Sequence, residues 1–526
     1  MSFLAEPTLK KPALPPNEDV VVDVVELMLT EQEKRLFDLM KDVVRKNKLG
    51  TTLRVAGGWV RDKILNFKME DSKAVDIDIA LDNMLGCDFA ILVNRWLEEN
   101  GEEHHDFGVM HKNSEKSKHL ETARVKVLGL SIDLVNLRTE TYTEDSRIPT
   151  AQIGTPLEDA LRRDLTINSL FYNINTGKIE DFTRVGYLHL QKRIIKTPLP
   201  PLTTLLDDPL RVLRAMRFAN RFNFNVDEEL YTAFCDPQVH QALDEKVSRE
   251  RIGQEVDLMI SSGRPLQAIG LMCEVGIFHI VFRLPDTLLE LPPFDLRNAC
   301  LGCLINLDSL IHHHFDGMQH TAADLRLARY AAITAPLRNV RYECERRHRP
   351  TPVTRHVLQN ELRMNSKTVD SVYAVHEASI EFQFLMHLGL NNIDRLRVAD
   401  ILRKVGPLWK LGMMTALITE MYPAKTSRTY AEALDTIPDE FERPERMIVA
   451  NYKLLQNTIE SLRLEGVWDM KPYIKGEEIM QLLPKIPRGP RIGDVSDELV
   501  QWQIQNPEKS VSEARYWLVE TFAQYK

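Results

Sequence analysis

The sequence contains little cysteine and no long apolar run. Only 6 of its 526 residues are cysteine, which excludes a small secreted fold stapled by disulfides. No stretch of about eighteen apolar residues occurs, so no membrane-spanning helix is expected. The first thirty residues lack both the apolar core of a secretory signal and the arginines of a mitochondrial presequence. We therefore expect an intracellular protein with no membrane partner.

An excess of positive charge is also missing. The formal net charge is −9, which argues against a generally basic nucleic-acid binder but allows a local basic groove. The densest basic segment is 342–356, which contains Arg346, Arg347, Arg349 and Arg355. This segment fits either an RNA contact or a solvated loop.

Motifs for a zinc site are sparse. Cys300 and Cys303 form a CxxC motif without a second pair, whereas a structural zinc ion needs four ligands. They are predicted to be small apolar residues on one buried helix face. The consecutive residues His312, His313 and His314, with His320 nearby, cannot all face one metal ion, which disfavours a metal-dependent phosphohydrolase.

The chain is too long for one hydrophobic core, and its patterns change along its length. Residues 1–29 are interpreted as a loosely docked arm, and Thr30 with Glu33 forms a capping box that starts a helix. From the end of this helix to about residue 185 short strands and helices alternate, and the segments 75–80, 123–127 and 130–137 are predicted strands of an α+β unit with an antiparallel sheet. The polar segment 103–119 is predicted to be a mobile loop. After about residue 205 only helical patterns remain.

A glycine pair follows the apolar strand 53–56. Gly57 and Gly58 stand at a strand-to-helix turn, where backbone N–H groups can approach a polyphosphate. Arg61 lies in the first turn of the following helix and can reach the same phosphates. A glycine pair alone is weak support, because most such pairs are merely tight turns.

Two carboxylates spaced by one residue come next. Strand periodicity places Asp76 and Asp78 on one face of a strand. Magnesium prefers carboxylate and phosphate oxygens, and two bound metals would activate a 3′-hydroxyl and stabilise pyrophosphate. Taken alone, this pattern also fits the polar face of an edge strand. Asp133, on a later strand, is a candidate third carboxylate and general base, or a surface residue.

Arginines cluster in two further segments. Arg162 and Arg163 precede Asp164 and could clamp a triphosphate, although charged helix entries are common. Pro209 predicts that Asp208 is the N-cap of a helix. One face of that helix carries three arginines, Arg211, Arg214 and Arg217. This face is either solvated or part of a nucleotide site. An aspartate beside an arginine matches the hydrogen-bonding edge of C or A.

Taken in order, these motifs resemble the class II nucleotidyltransferases of the DNA polymerase β superfamily, specifically the CCA-adding enzymes. The matching segments are VAGGWVRD (55–62), DID (76–78), RRDLTINSL (162–170), DDPLRVLRAMRFA (207–219) and ERIGQE (250–255). The segment SKHLETARV (117–125) resembles the eukaryotic branch. One departure is Asp207, where the family usually has glutamate.

The resemblance implies a fold, an architecture and a reaction. It implies an α+β head (30–188) with a small antiparallel polymerase-β-like sheet, followed by an all-α neck (189–290) and an all-α body and tail (291–526). The last part of the tail, 489–517, would meet the tRNA elbow. The implied reaction adds C, C and A to the 3′ end of tRNA from CTP and ATP, releasing pyrophosphate. We expect a monomer, with an oligomer left open, in the cytoplasm and nucleus, with the mitochondrion also left open.

The resemblance also implies roles for individual residues. Asp76 and Asp78 would bind two Mg²⁺ ions. The implied nucleotide-binding residues are Gly57, Gly58, Arg61, Arg163, Asp208, Arg211, Arg214 and Arg217. The implied supporting residues are Asp62, Arg162, Glu250, Arg251 and Glu255.

Two rival interpretations share these motifs. A bacterial-type poly(A) polymerase would use ATP only and add many residues, and segment 117–125 argues against it. A non-catalytic RNA-binding relative would have lost a metal carboxylate, yet both Asp76 and Asp78 are present.

Overall fold

The computed structural model describes residues 21–22, 27–66, 77–103, 108–110, 122–143, 146–289, 295–312, 321–344, 349–389, 393–421 and 443–526. The chain forms two compact units, Met1–Val247 (the first unit) and Ser248–Lys526 (the second unit). Within the described ranges, no helix combines the length and apolar character needed to cross a bilayer.

The first unit is built around a sheet. Its strands are β1 Val21–Val22, β2 Leu53–Ala56, β3 Ile77–Leu81, β4 Gly108–Met110, β5 Thr122–Val127, β6 Leu130–Asn136, β7 Arg138–Thr143, β8 Ser146–Ile153, β9 Phe171–Asn173, β10 Lys178–Glu180, β11 Ile194–Ile195 and β12 Asn225–Val226. Its helices are α1 Glu31–Lys46, α2 Gly58–Ile64, α3 Gly86–Glu99, α4 Pro156–Leu161, α5 Gly186–Lys192, α6 Pro201–Asp207, α7 Arg211–Phe222, α8 Glu228–Phe234 and α9 Pro237–Lys246.

The main sheet is mixed, which corrects the expectation of an antiparallel one. Its eight strands have the order β1-β10-β9-β2-β3-β6-β5-β4. Strands β3 and β6 are parallel, whereas the other neighbours in this sheet are antiparallel. Helix α3 and the β4–β5 pair lie between β3 and β6 in the chain and return it in the same direction. Alternation of apolar residues reports which face is buried, not which way a strand runs.

Helix α1 connects its own cap to the glycine turn. The capping box of Thr30 and Glu33 is confirmed. Glu33 also accepts a hydrogen bond from Trp59 Nε1 at 3.0 Å, and Phe37 packs edge-on against Trp59 with ring centroids 5.7 Å apart. The same residues that start α1 therefore fix the start of α2.

The predicted arm and the predicted loop are described only in part. Within 1–29, Val21–Val22 forms β1 and pairs with β10 at the sheet edge. Within 103–119, Gly108–Met110 forms β4 and pairs with β5, so these three residues are a strand rather than loop. Most other residues of both segments lie outside the described ranges.

The second unit is mainly helical. Its helices are α10 Arg249–Ile260, α11 Pro265–Glu274, α12 Phe278–Val281, α13 Leu296–His312, α14 Ala322–Thr334, α15 Val353–Arg355, α16 Ser366–Leu388, α17 Arg395–Val405, α18 Trp409–Met421, α19 Arg443–Ser461, α20 Gly476–Leu482, α21 Pro490–Gln505 and α22 Val511–Thr521. One π-helical turn spans His356–Glu361.

The expectation that the chain after the head is purely helical is wrong, because two short strand pairs interrupt the helices. Strands β13 Arg341–Cys344 and β14 Arg349–Pro352 pair antiparallel inside the basic segment, and β11 pairs with β12 in the first unit. Such pairs of two to four residues are too short to show a period in the sequence. Cys300 and Cys303 are buried on α13, as predicted, and burial raises the pKa of Cys303 to about 12.

Candidate functional site

The glycine turn lies between β2 and α2, with one arginine against each glycine. Gly57 has φ 73° and ψ −121°, and its N–H donates to the carbonyl of Leu170 at 3.0 Å. A Cβ built on Gly57 would lie 2.6 Å from Arg163 Nη1, and one on Gly58 would lie 3.5 Å from Arg61 Nη2. The missing side chains therefore allow two guanidinium groups to approach the turn.

The two glycines are expected to differ in their tolerance of alanine. Gly57→Ala must hold an L-residue at positive φ and displace Arg163, whereas Gly58 has ordinary contact space. We expect Gly57→Ala to cost about 1–3 kcal/mol from the backbone alone. Gly58→Ala should change the free energy of unfolding by less than about 1 kcal/mol. Thermal unfolding of the two variants checks this, and equal losses would contradict it.

Arg61 is buried at the base of the turn. Its side chain contacts Asp62 at 2.8 Å, donates to Asn168 Oδ1, and lies over the rings of Phe218 and Phe222, at 4.9 and 4.6 Å from their centroids. Only 3% of Arg61 is exposed, and burial lowers its pKa. The guanidinium thus connects α2 to α7, in addition to lying beside Gly58.

Arg162 and Arg163 share one carboxylate that the sequence reasoning missed. Asp159 is 1% exposed and lies one helical turn earlier, on α4. Its Oδ1 accepts from Arg162 Nε at 2.9 Å, and its Oδ2 accepts from Arg163 Nη2 at 2.7 Å. The i, i+3 and i, i+4 spacing of these residues is a signal that could have identified Asp159.

Asp164 connects this segment to α7. Its Oδ2 accepts from Arg214 Nε at 2.8 Å, and its Oδ1 accepts from Asn168 Nδ2 at 3.0 Å and from the N–H of Leu165 at 2.8 Å. Burial alone would raise the pKa of Asp164, but Arg214 and Asn168 hold it at about 2. Asp164 is therefore a buried, ionised anchor for α7.

The start of α7 differs from the prediction. The helix begins at Arg211 with Leu210 at the N-cap position and no side-chain capping bond, so Asp208 is not the N-cap. Its backbone carbonyl accepts from the N–H of Arg211 at 3.0 Å. The N-cap moves because Pro209 and Leu210 form a turn before the helix rather than its first residues.

The arginines of α7 point toward neighbouring groups of the first unit. Arg211 Nη2 donates to the carbonyl of Arg162, and Arg214 pairs with Asp164 at 2.6 Å. Arg217 lies 4.1 Å above the ring of Phe218, and Arg221 approaches Asp62 at 3.8 Å. The base-selection candidates and the triphosphate candidates of the first unit are thus in one contact network.

The parallel pair β3–β6 brings two carboxylates together. Asp78 and Asp133 are register partners, and neither is buried, whereas Ile77, Ile79 and Ile132 beside them are. Asp133 accepts from Arg124 Nε and Nη2, both at 2.7 Å. Asp76 lies outside the described residues. Adjacent carboxylates on one sheet face are oxygen donors of the type that divalent cations prefer.

The remaining predicted residues lie on α10 of the second unit. Glu250 and Arg251 are exposed and Glu255 is buried. Their supporting role stays a prediction.

Comparison with known proteins identifies two matching sequence families and several relatives. The profile of the Poly A polymerase head domain matches residues 53–196, and that of the probable RNA and SrmB-binding site of polymerase A matches 223–289. The mitochondrial CCA tRNA nucleotidyltransferase of Saccharomyces cerevisiae is 30% identical, covering 93% of each chain. That of Candida glabrata is 32% identical, covering 93% of this chain and 95% of the relative.

Solved structures share the fold. The Thermotoga maritima CCA-adding enzyme complexed with tRNA superimposes with a TM-score of 0.57, covering 94% of this chain and 96% of that one, at 18% identity. The Bacillus stearothermophilus enzyme in complex with CTP gives 0.56, covering 94% and 99%, also at 18% identity. Because two relatives at 30% identity or more align over nearly their whole length, the chain belongs to the family of CCA tRNA nucleotidyltransferases.

Proposed function

We propose that this protein adds C, C and A to the 3′ end of tRNA, taking CTP and ATP and releasing pyrophosphate, without a nucleic-acid template. The observation that carries the proposal is the network in the first unit that joins the arginine-flanked glycine turn to the start of α7. A phosphate-binding turn bonded to a candidate base-reading helix is what selection of a nucleotide by protein side chains requires.

Divalent metal ions are used by nucleotidyltransferases of this family. The exposed Asp78, with Asp133 beside it in register, fits such ions chemically. We assign two Mg²⁺ ions to Asp76 and Asp78, where the metals would activate the 3′-hydroxyl and stabilise pyrophosphate. Arg124 donates to both oxygens of Asp133 and so fixes the orientation of this carboxylate. We assign Asp133 a role in positioning the reacting groups or in accepting the proton of the 3′-hydroxyl.

The triphosphate part of the site is assigned to the glycine turn. The Gly57–Gly58 backbone and Arg163 would contact the phosphates, because Arg163 retains partial exposure and lies against Gly57. Arg61 would hold the turn from beneath. Asp159 would keep Arg163 extended toward the turn through its buried ion pair.

We assign recognition of the nucleotide base to Asp208 and Arg211. The carboxylate accepts from the amino group that C and A share, and the guanidinium donates to ring nitrogen or carbonyl acceptors. G and U present the opposite pattern, and an unpaired buried group disfavours them.

We assign part of the tRNA-binding surface to the second unit. The Thermotoga enzyme of the same fold is complexed with tRNA, and helices α21 and α22 of this chain span the segment predicted to meet the tRNA elbow.

We propose that the protein is a monomer. The two yeast relatives are named as mitochondrial, and we propose an intracellular protein of the cytoplasm, nucleus or mitochondrion.

Product length distinguishes this function from its rivals. Purified protein is incubated with magnesium and tRNA lacking CCA, with CTP alone, ATP alone, or both. We expect two added residues with CTP alone and three, ending in A, with both. A long ladder with ATP alone would indicate a poly(A) polymerase, and no product would indicate a non-catalytic relative.

A further inference from the structure

Asn168 lies at the junction between the glycine turn and α7. Its Oδ1 accepts from Arg61 Nη1, and its Nδ2 donates to Asp164 Oδ1 at 3.0 Å. Its backbone carbonyl accepts from Arg163 Nη1 at 3.2 Å. One residue, 6% exposed, therefore contacts both arginines that flank the glycines and the carboxylate that anchors α7.

The contacts form a continuous path that is buried from Arg61 through Asn168 to Asp164. Gly58 is next to Arg61, Arg61 bonds Asn168, Asn168 bonds Asp164, and Asp164 pairs with Arg214 on α7 at 2.6 Å. Arg61 and Asp164 are also below 9% exposure. Little water can replace a broken link, so a change at one end of the path has a cost at the other.

The path requires the chemistry of asparagine. Its oxygen faces the guanidinium of Arg61 and its amide nitrogen faces the carboxylate of Asp164, so each half meets the complementary charge. Aspartate in its place would set two buried carboxylates against each other. Alanine would leave Arg61 and Asp164 each without one partner.

We propose that Asn168 is a positioning residue that couples triphosphate alignment to base selection. This inference rests on the proposed function, since it takes the glycine turn as the triphosphate site and α7 as the base-reading helix. When α7 adjusts to C or to A, Asp164 and Asn168 carry the adjustment to Arg61, Arg163 and the turn. Substitution at Asn168 should therefore damage turnover and nucleotide choice together.

Asn173 provides a matched control. It is another buried asparagine of the first unit, on β9, and its side chain donates to Glu180 at 2.8 Å and accepts from the N–H of Asn175 at 2.9 Å. It contacts neither arginine of the turn nor Asp164 in these bonds. Asn173→Ala therefore removes a comparable buried amide without interrupting the path.

The experiment compares Asn168→Ala, Asn168→Asp and Asn173→Ala in the full chain. We measure kcat and KM for CTP on tRNA lacking CCA, the incorporation of UTP relative to CTP, and the Tm. Both Asn168 variants should lower kcat/KM for CTP at least about tenfold and raise relative UTP use at least about tenfold. Asn173→Ala should lower the Tm and leave relative UTP use within about twofold of the wild type.

A second variant covers the case in which the single substitutions fail to fold. The exchange Asn168→Asp with Asp164→Asn removes the repulsion between two buried carboxylates but also breaks the Asp164–Arg214 ion pair. It should therefore recover part of the Tm relative to Asn168→Asp, while selectivity stays impaired because the link to α7 is broken. Wild-type UTP discrimination in folded Asn168 variants, or in the exchange variant, would overturn the coupling. Absence of C addition by the wild type would instead reject the proposed function.

Discussion

Asp78→Ala should abolish the addition of C and of A together. Asp78 is exposed on β3 beside Asp133, and the metal chemistry assigned to it is common to all three additions. Metal stabilisation of the reacting phosphate is worth several kcal/mol, and each 1.4 kcal/mol, roughly, is a factor of ten. We therefore expect a loss on the order of 10³-fold or more in kcat for both CTP and ATP.

The test separates chemistry from binding. Single-turnover addition of C to tRNA lacking CCA, and of A to tRNA ending in CC, is measured together with tRNA affinity. Affinity should stay within about threefold of the wild type. Asp38→Ala removes an exposed carboxylate on α1 and should leave both rates unchanged. Normal C addition by Asp78→Ala would contradict the assignment of Asp78 as a ligand of the catalytic metal ions.

Asp164→Ala should be among the most destabilising single substitutions in the first unit. It would leave Arg214 without its buried partner and remove the acceptor of Asn168 and of the Leu165 N–H. Removing one partner of a buried ion pair costs about 3–5 kcal/mol, and we expect the lower end of this range because 34% of the Arg214 side chain is exposed. Urea unfolding checks this, and a loss below about 1 kcal/mol would contradict the anchoring role.

The same residue predicts a pH dependence. The pKa of Asp164 is lowered from its ordinary value of 3.8 to about 2, with Arg214 and Asn168 overcoming the opposing effect of burial. A lowered pKa contributes stability above the unfolded value that is lost as pH falls through about 2. The contribution is on the order of 2 kcal/mol. The Tm difference between wild type and Asp164→Asn should therefore narrow between pH 4 and 2.

The sequence predicted the elements whose signals are local. The capping box of Thr30 and Glu33, the strands near Thr122–Val127 and Leu130–Asn136 and the turn at Gly57 all depend on residues within a few positions of each other. Caps, alternation and glycine turns act over that range. The family motifs then identified the family, which the relatives confirm.

Features that depend on tertiary contacts were not predictable in this way. The parallel direction of β3 and β6 is set by how the chain between them returns. Arg61 was predicted to face phosphate, but its helix position could not show that its guanidinium packs over Phe218 and Phe222, more than 150 residues later in the chain. Asn168 was inside a recognised motif, yet its role depends on partners from α2 and from the Asp164–Arg214 pair.

The central claim is that side chains at the start of α7 choose the base, and Asp208→Ser tests it most directly. Incorporation of all four nucleotides is measured on tRNA lacking CCA and on tRNA ending in CC. Asp236→Ser is the control, because Asp236 caps α9 with its own side chain and loses the same charge. We predict that Asp208→Ser lowers discrimination against UTP and GTP by about tenfold or more, from the loss of about 1–3 kcal/mol, whereas Asp236→Ser keeps it. Wild-type selectivity in Asp208→Ser would contradict the account.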